Sequence, residues 1–234
     1  MVENAGVRLS VAVGAADGAN ATDAAGGGAW YGGGADLGYP SASVVKVSVL
    51  AALLRRGGEL DARRRAWARA MIVRSDNDAA TALWRELGGP GALDEAYAEW
   101  GLTGTYADPA WGLTRTTARD QLTLLRTVFR ERPYAYLREL MGRVVPDQAW
   151  GVSAAAGGPA GADGWALKNG WMPMRATGLW VVHSVGRVGG RAGGRLVVVL
   201  SDGHPSKEAG IARVEEAARR AAGEGGWYGA GHAG

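Results

Sequence analysis

Leu179-Trp180-Val181-Val182-His183-Ser184-Val185, a glycine-rich turn over residues 189–194, then Leu196-Val197-Val198-Val199-Leu200: two apolar, β-branched runs across a turn predict an antiparallel hairpin. Residues 165–167 predict a shorter strand beside it, and Lys207–Ala222 an amphipathic helix. The glycine-rich stretch 223–234 reads as a disordered tail. At the other end of the chain, residues 7–13 read as one more strand. Residues 14–38, rich in Gly, Ala and Asp, follow as a loose hairpin connection or loop.

Between these ends the pattern turns helical. Over residues 41–56, Val45, Val49, Leu50, Leu53 and Leu54 share a broad face, and Gly57-Gly58 stops the helix. Further helices are predicted at 61–73, 78–87, 92–100, 117–129 and 133–141, with Thr117 and Asp120 making a capping-box-like start to the fourth of these. Strands at both ends and helices between them predict an α/β protein of the α+β type. One antiparallel sheet is formed from both chain ends, with flanking helices and an all-helical lobe. Residues 1–234 read as a single domain, with a sheet subdomain over about 7–40 and 150–222 and a helical subdomain over about 41–149.

Composition removes several function classes. With no cysteine among 234 residues there is no thiol catalysis, thiolate metal site or disulfide. His183, His204 and His232 lack a spacing that would pair two on a helix face, so no metal and no cofactor is expected. The formal charge is only +3, and the one dense basic run, Arg63-Arg64-Arg65, reads as a solvated helix surface, so no nucleic-acid partner is expected. No apolar run approaches the ~18 residues of a membrane span. Residues 1–13 show no basic-then-apolar leader pattern. A monomer acting on a small molecule or peptide is expected.

Of 26 basic residues only three are lysines: Lys46, Lys168 and Lys207. Lysine, unlike arginine, deprotonates near neutral pH when buried or crowded by another cation, so each lysine in an arginine-rich chain asks for a reason. Two of the three fall in short motifs. Ser43-Val44-Val45-Lys46 opens a helix, where a three-residue spacing puts hydroxyl and amine on one face and the helix N-terminus favours developing negative charge. Ser75-Asp76-Asn77 lies between two predicted helices and offers a hydroxyl and an amide. Lys168-Asn169-Gly170, at the end of the short strand, offers a cation beside a residue that lets a substrate backbone come close. Each motif alone also has a plain structural reading: a surface lysine after a helix-start serine, a polar turn capping the next helix at Asn77 or Asp78, and an Asn-Gly turn.

The ordered set S-x-x-K, S-D-N, K-x-G resembles that of class A β-lactamases and related penicillin-binding proteins. The order of strands and helices is similar as well, from Val7 to about Ala222. Tyr39-Pro40-Ser41-Ala42-Ser43, Trp111-Gly112-Leu113-Thr114-Arg115-Thr116-Thr117 and Lys168-Asn169-Gly170-Trp171 look like actinobacterial β-lactamase-related serine hydrolases. The resemblance implies a β-lactamase/transpeptidase-like fold and an extracytoplasmic protein. It implies Ser43 as nucleophile, Lys46 as general base, Ser75 as proton relay to the leaving group, and Lys168 as electrostatic support. Asn77 would bind the acyl side-chain amide, and the backbone N–H groups of Ser43 and Trp171 would form an oxyanion hole. Trp171, directly after Gly170, is also the best candidate among the tryptophans to line the pocket.

Two departures qualify that picture. Asn169 stands where the family mostly carries Thr or Ser, whose hydroxyl helps hold a substrate carboxylate. The stretch 104–114, where class A enzymes carry the glutamate that activates the deacylating water, holds one acid, Asp108, followed by Pro109; Asp108 reads as a turn residue. The expected activity is therefore a serine hydrolase that forms an acyl-serine from an amide or ester, β-lactam-like or D-amino-acid peptide-like, and turns over β-lactams poorly. The alternatives are a penicillin- or peptidoglycan-binding module acylated without turnover, and an acyltransferase or esterase.

Overall fold

The computed structural model describes residues 6–16, 30–57, 60–156, 160–161, 164–189 and 194–222. The expected tail at 223–234, and most of the expected loop at 14–38, lie outside the described residues. The strands are β1 (Arg8–Ala15), β2 (Trp30–Gly32), β3 (Tyr39–Pro40), β4 (Arg115–Thr116), β5 (Trp165–Pro173), β6 (Trp180–Val188) and β7 (Arg195–His204). The helices are α1 (Val45–Arg55), α2 (Ala62–Val73), α3 (Asn77–Leu87), α4 (Gly89–Glu99), α5 (Ala118–Arg130), α6 (Ala135–Met141) and α7 (Lys207–Ala222).

β7 explains why its sequence is a continuous apolar run. Leu196, Val198 and Leu200 point into one core, Val197 and Val199 into another, and all five are fully buried. A strand covered on both faces has no polar side to show, so the alternation of a half-exposed strand is lost. The first core joins that sheet face to α1 through α6, with Leu50, Met71, Leu83, Leu122 and Leu137 at its centre. The second lies under α7, with Val214 and Ala218 facing Val182, Val197 and Val199.

The five-stranded sheet has the order β2-β1-β7-β6-β5. β1 pairs antiparallel with β7, Ser10 opposite Leu200, so the two chain ends do close one sheet. β6 pairs antiparallel with β7 and with β5, leaving β5 as the outer strand. Among the described residues no helix is long and apolar enough to cross a membrane.

Several local expectations are corrected. β5 runs to Pro173, so Lys168, Asn169 and Gly170 lie inside a strand rather than at its end. The S-x-x-K segment begins as a 3-10 turn, Ala42–Val44, that leads into α1. α3 is capped by Asp76, one residue before the expected caps, through its side chain and the Ala79 N–H at 2.8 Å. α4 starts at Gly89, ahead of the expected 92, because left-handed Gly88 reverses the chain and Pro90 suits a first helical turn. Thr117 caps α5 by accepting from the Asp120 N–H. The carboxylate of Asp120 does not complete a capping box, because it accepts from Gly104 N–H and Thr105 Oγ1 instead.

Gly186 lies opposite Leu167 in the β5–β6 pairing: a Cβ there would lie 2.3 Å from the Ala166 carbonyl oxygen and 2.8 Å from Leu167 Cα. Gly91, in α4, has nothing within 4 Å of its missing Cβ. Gly186→Ala is expected to cost about 1–3 kcal/mol. Gly91→Ala is expected to add about 0.5–1 kcal/mol. Urea unfolding of the two variants beside the parent chain checks both signs.

Candidate active site

The 3-10 turn Ala42–Val44 is anchored before it is shaped. β3 pairs with β4, Tyr39 opposite Thr116, and the Ser41 N–H donates to the Thr114 carbonyl at 2.7 Å. His183 reaches the same segment from β6. Its Nδ1 accepts from the Ser201 N–H at 3.0 Å, which leaves Nε2–H to donate to the Pro40 carbonyl at 2.8 Å. That neutral tautomer matches a ring whose pKa is lowered by burial to about 4. Ala42 takes a left-handed φ of +46°, and Ser43 follows, partly exposed, with Lys46 in the first turn of α1.

Gly170 sets the distance between this turn and β5. A Cβ at that position would lie 2.9 Å from the backbone nitrogens of both Ser43 and Val44. The close approach predicted for a substrate backbone is thus made by the chain itself, and glycine is what permits it. Along β5, side chains alternate: Ala166 packs with the helical core, whereas Trp165 and Leu167 belong to the second core. Lys168 and Gly170 follow the first set.

Three motifs meet at one hydroxyl. Ser75 Oγ lies 3.1 Å from Lys46 Nζ and 2.9 Å from Lys168 Nζ. Lys46 Nζ also donates to the Ser75 carbonyl and to Asn77 Oδ1, both at 2.7 Å, and lies 4.9 Å from the centre of the Trp111 ring. Lys168 Nζ donates in addition to the Asn169 carbonyl at 2.8 Å. Both lysines are fully buried. Among the described residues neither forms a salt bridge. Burial is therefore the main influence on both. It lowers Lys46 to about 7, with the Asp76 charge opposing. It lowers Lys168 well below the usual lysine range, helped by the positive charge of Lys46.

The chemical capacity of this cluster follows from counting protons. An ammonium only donates, a neutral amine also accepts, and a hydroxyl does both. Once one lysine is neutral, its lone pair can take the Ser75 proton while the other lysine donates to Ser75 Oγ. A proton can then cross between the two amines through a hydroxyl. Ser43 Oγ itself makes no hydrogen bond among the described residues, because Lys46 is turned to the acceptors of Ser75 and Asn77. Asn77 is exposed, and its Oδ1 is engaged by Lys46.

Two sequence-based expectations fail for their side chains. Asn169 is 1% exposed, and its Nδ2 donates to the carbonyls of Gln148 and Trp150 at 2.8 and 3.1 Å, on the face of β5 away from Lys168. Its amide is not available to a substrate carboxylate. The Trp171 ring lies on that same face, 5.8 Å from Trp150 and 4.3 Å from Lys207 Nζ, so it does not line the cluster around Ser75. Period-two alternation decides both cases. Asp108 behaves as a turn residue: its Oδ1 accepts from the Ala110 N–H at 2.8 Å. Gln148 and His183 were missed by the sequence reading. The only trace of His183 was a lone titratable residue in an apolar strand, and Gln148 left none.

The chain matches the model of the beta-lactamase enzyme family over residues 62–223, a span that includes Ser75 and Lys168 and begins after Lys46. No curated protein matches. Among solved structures, that of PBP-A is similar with a TM-score of 0.71 and 20% identity, over 93% of this chain and 89% of that one. A variant of PBP-A, described as an acyl-enzyme complex with penicillin G, gives 0.70 and 20% over 91% and 88%. A beta-lactamase from Burkholderia vietnamiensis gives 0.69 and 22% over 92% and 89%. At these identities the likeness is one of fold.

With only three lysines, selective 15N labelling isolates the two buried amines, with Lys207→Arg to assign the third. The Lys46 signal is expected to titrate with a midpoint near 7, and Lys168 to lose its proton well below the ordinary lysine range. Between about 7 and the ordinary lysine value of 10.5 the unfolded chain holds the extra proton at Lys46, so this group adds stability as pH rises. Urea melts at several pH values should show that rise flattened in Lys46→Met.

Proposed function

The chain belongs to the beta-lactamase enzyme family, and from that premise we propose that it is a serine hydrolase in which Ser43 accepts an acyl group from a β-lactam-like or D-amino-acid peptide-like amide or ester. The single observation that carries the reading is the Ser75 hydroxyl held between the buried amines of Lys46 and Lys168, at 3.1 and 2.9 Å. A structural ammonium gains nothing from burial without a counter-charge, whereas a proton-transfer group gains a pKa near working pH.

In this reading neutral Lys46 takes the Ser43 proton as Oγ, three residues earlier in the chain, attacks the carbonyl carbon. The C=O π pair moves to oxygen, and the oxyanion lies between the backbone N–H groups of Ser43 and Trp171. Collapse of that intermediate breaks the bond to the leaving amine or alkoxide. The leaving group takes the Ser75 proton, and the proton on Lys46 restores the hydroxyl. Lys168, whose charge is disfavoured by burial and by Lys46, donates an N–H to Ser75 Oγ and orients that hydroxyl, and Asn77 presents its amide to the acyl side chain.

Release of the acyl group is proposed to be slow. Deacylation needs a base for water on the open side of the ester, and the one acid of the stretch 104–114 is committed to its own turn. Acyl-enzyme then accumulates, and the balance between slow hydrolase and acylated binding module becomes one of rates.

Intact-mass measurement after adding a penicillin is expected to give a lasting adduct equal to the whole drug, absent in Ser43→Ala. A rapid return to the unmodified mass with quantitative drug hydrolysis would overturn slow release. Lys46→Met is expected to lower the acylation rate by about 10²–10⁴ and to remove the limb of the pH–rate profile near 7.

A further inference from the structure

Ser75 is held in a left-handed conformation, φ +56°, that a non-glycine residue does not keep unaided. It follows α2, whose last carbonyls have no partners within the helix. Three successive carbonyls there are each claimed from elsewhere. The Val73 carbonyl accepts from the Val145 N–H at 3.1 Å. The Arg74 carbonyl accepts from Gln148 Nε2 at 2.7 Å, and the Ser75 carbonyl from Lys46 Nζ at 2.7 Å. Val145 and Gln148 belong to one segment, the residue before the 3-10 turn Pro146–Gln148 and that turn's last residue. The Gln148 carbonyl, with that of Trp150, is in turn held by Asn169 Nδ2.

We infer that Asn169 and Gln148 are positioning residues that fix the Ser75 hydroxyl between the two lysines, Asn169 holding Gln148 and Gln148 holding the Arg74 carbonyl. The inference rests on Ser75 being the proton relay. Two neighbouring side chains of β5 thus act on Ser75 from opposite sides of the strand: Lys168 on its hydroxyl directly, Asn169 on its backbone through Gln148. Asn169 and Gln148 are 1% and 6% exposed, so water does not compete for these bonds. The chemistry also accounts for an amide at position 169. One NH₂ group carries two donors and bridges two carbonyls, which a single Thr or Ser hydroxyl proton cannot do.

The test compares Gln148→Met and Asn169→Leu, which keep the side-chain length and remove the donors, with the double variant and Ser75→Ala. The readouts are the rate and pH profile of Ser43 labelling by a fluorescent penicillin, whose ring nitrogen leaves by taking a proton, together with thermal unfolding and the 15N signals of Lys46 and Lys168. Each single variant is expected to label roughly 10- to 100-fold more slowly, as for a reacting group displaced by about 1 Å. The pH midpoint should move, and melting should shift by only a few degrees. The double variant should be no slower than the slower single one, since both break one chain of bonds. Labelling rates, pH midpoint and lysine signals unchanged in both single variants overturn the inference while Ser75→Ala remains slow. Full-rate labelling of Ser75→Ala overturns the reading of Ser75 and the inference with it. If a variant labels too weakly to time, altered lysine signals in the folded protein support the inference and parental signals overturn it.

Discussion

Two amines buried around one hydroxyl is the arrangement on which the rest of the molecule bears. Moving an ammonium out of water without an opposing carboxylate is so costly that the group prefers to lose its proton. Lys46 and Lys168 accept that condition together, and the positive charge of the first further disfavours charge on the second. Burial without a salt-bridge partner among the described residues is what brings Lys46 to about 7, the property its proposed role as a base requires. Its stability cost is carried by the two apolar cores on either side of the sheet.

The sheet supplies what the lysines need in position. β5 is an outer strand whose site-side face meets the 3-10 turn of Ser43 and the turn of Ser75, while its other face joins the second core beside the 3-10 turn Gly151–Ala155. Gly170 allows the Ser43 turn to lie directly on the strand, and Lys168, two residues before, reaches Ser75 from the same face. His183, next to Gly170 in the paired strand, holds Pro40 and so fixes how the chain enters the turn. Backbone strain sits where chemistry is proposed: Ala42 and Ser75 are the non-glycine residues with positive φ among the described residues. Each is adjacent to, or is, a residue of the site.

The motif residues that fit the family pattern and those that depart from it divide by face. Lys168 and Gly170, on the site side, keep the family's residue types. Asn169, on the far side, does not, and it is bonded to the chain rather than open to a ligand. Its amide joins the Gln148 and Trp150 carbonyls, on the side of the strand away from Lys168. Trp111 plays a different part, laying an aromatic face near Lys46 and bonding Thr81 through its indole N–H.

The sequence by itself carried the main element types and the closing of one sheet from both chain ends, because those are written in local periodicity and caps; the set Ser43, Lys46, Ser75 and Lys168 came from the resemblance of three ordered motifs to a known family, since each motif alone also reads as plain structure. It also carried the commitment of Asp108 to its own turn. It could not tell which face of β5 each motif residue occupies, since that depends on where the strand ends, and the strand proved longer than its apolar core. Only the tertiary structure decided that Asn169 and Trp171 turn away, that Gly170 makes room for the chain itself, and that Gln148 braces the Ser75 turn. Those facts are contacts between segments tens of residues apart, made by side chains whose identities alone carry no periodic signal. The hydroxyl between two lysines is of the same kind: each residue is legible locally, and the distances that give them a common chemistry exist only once the cores have packed.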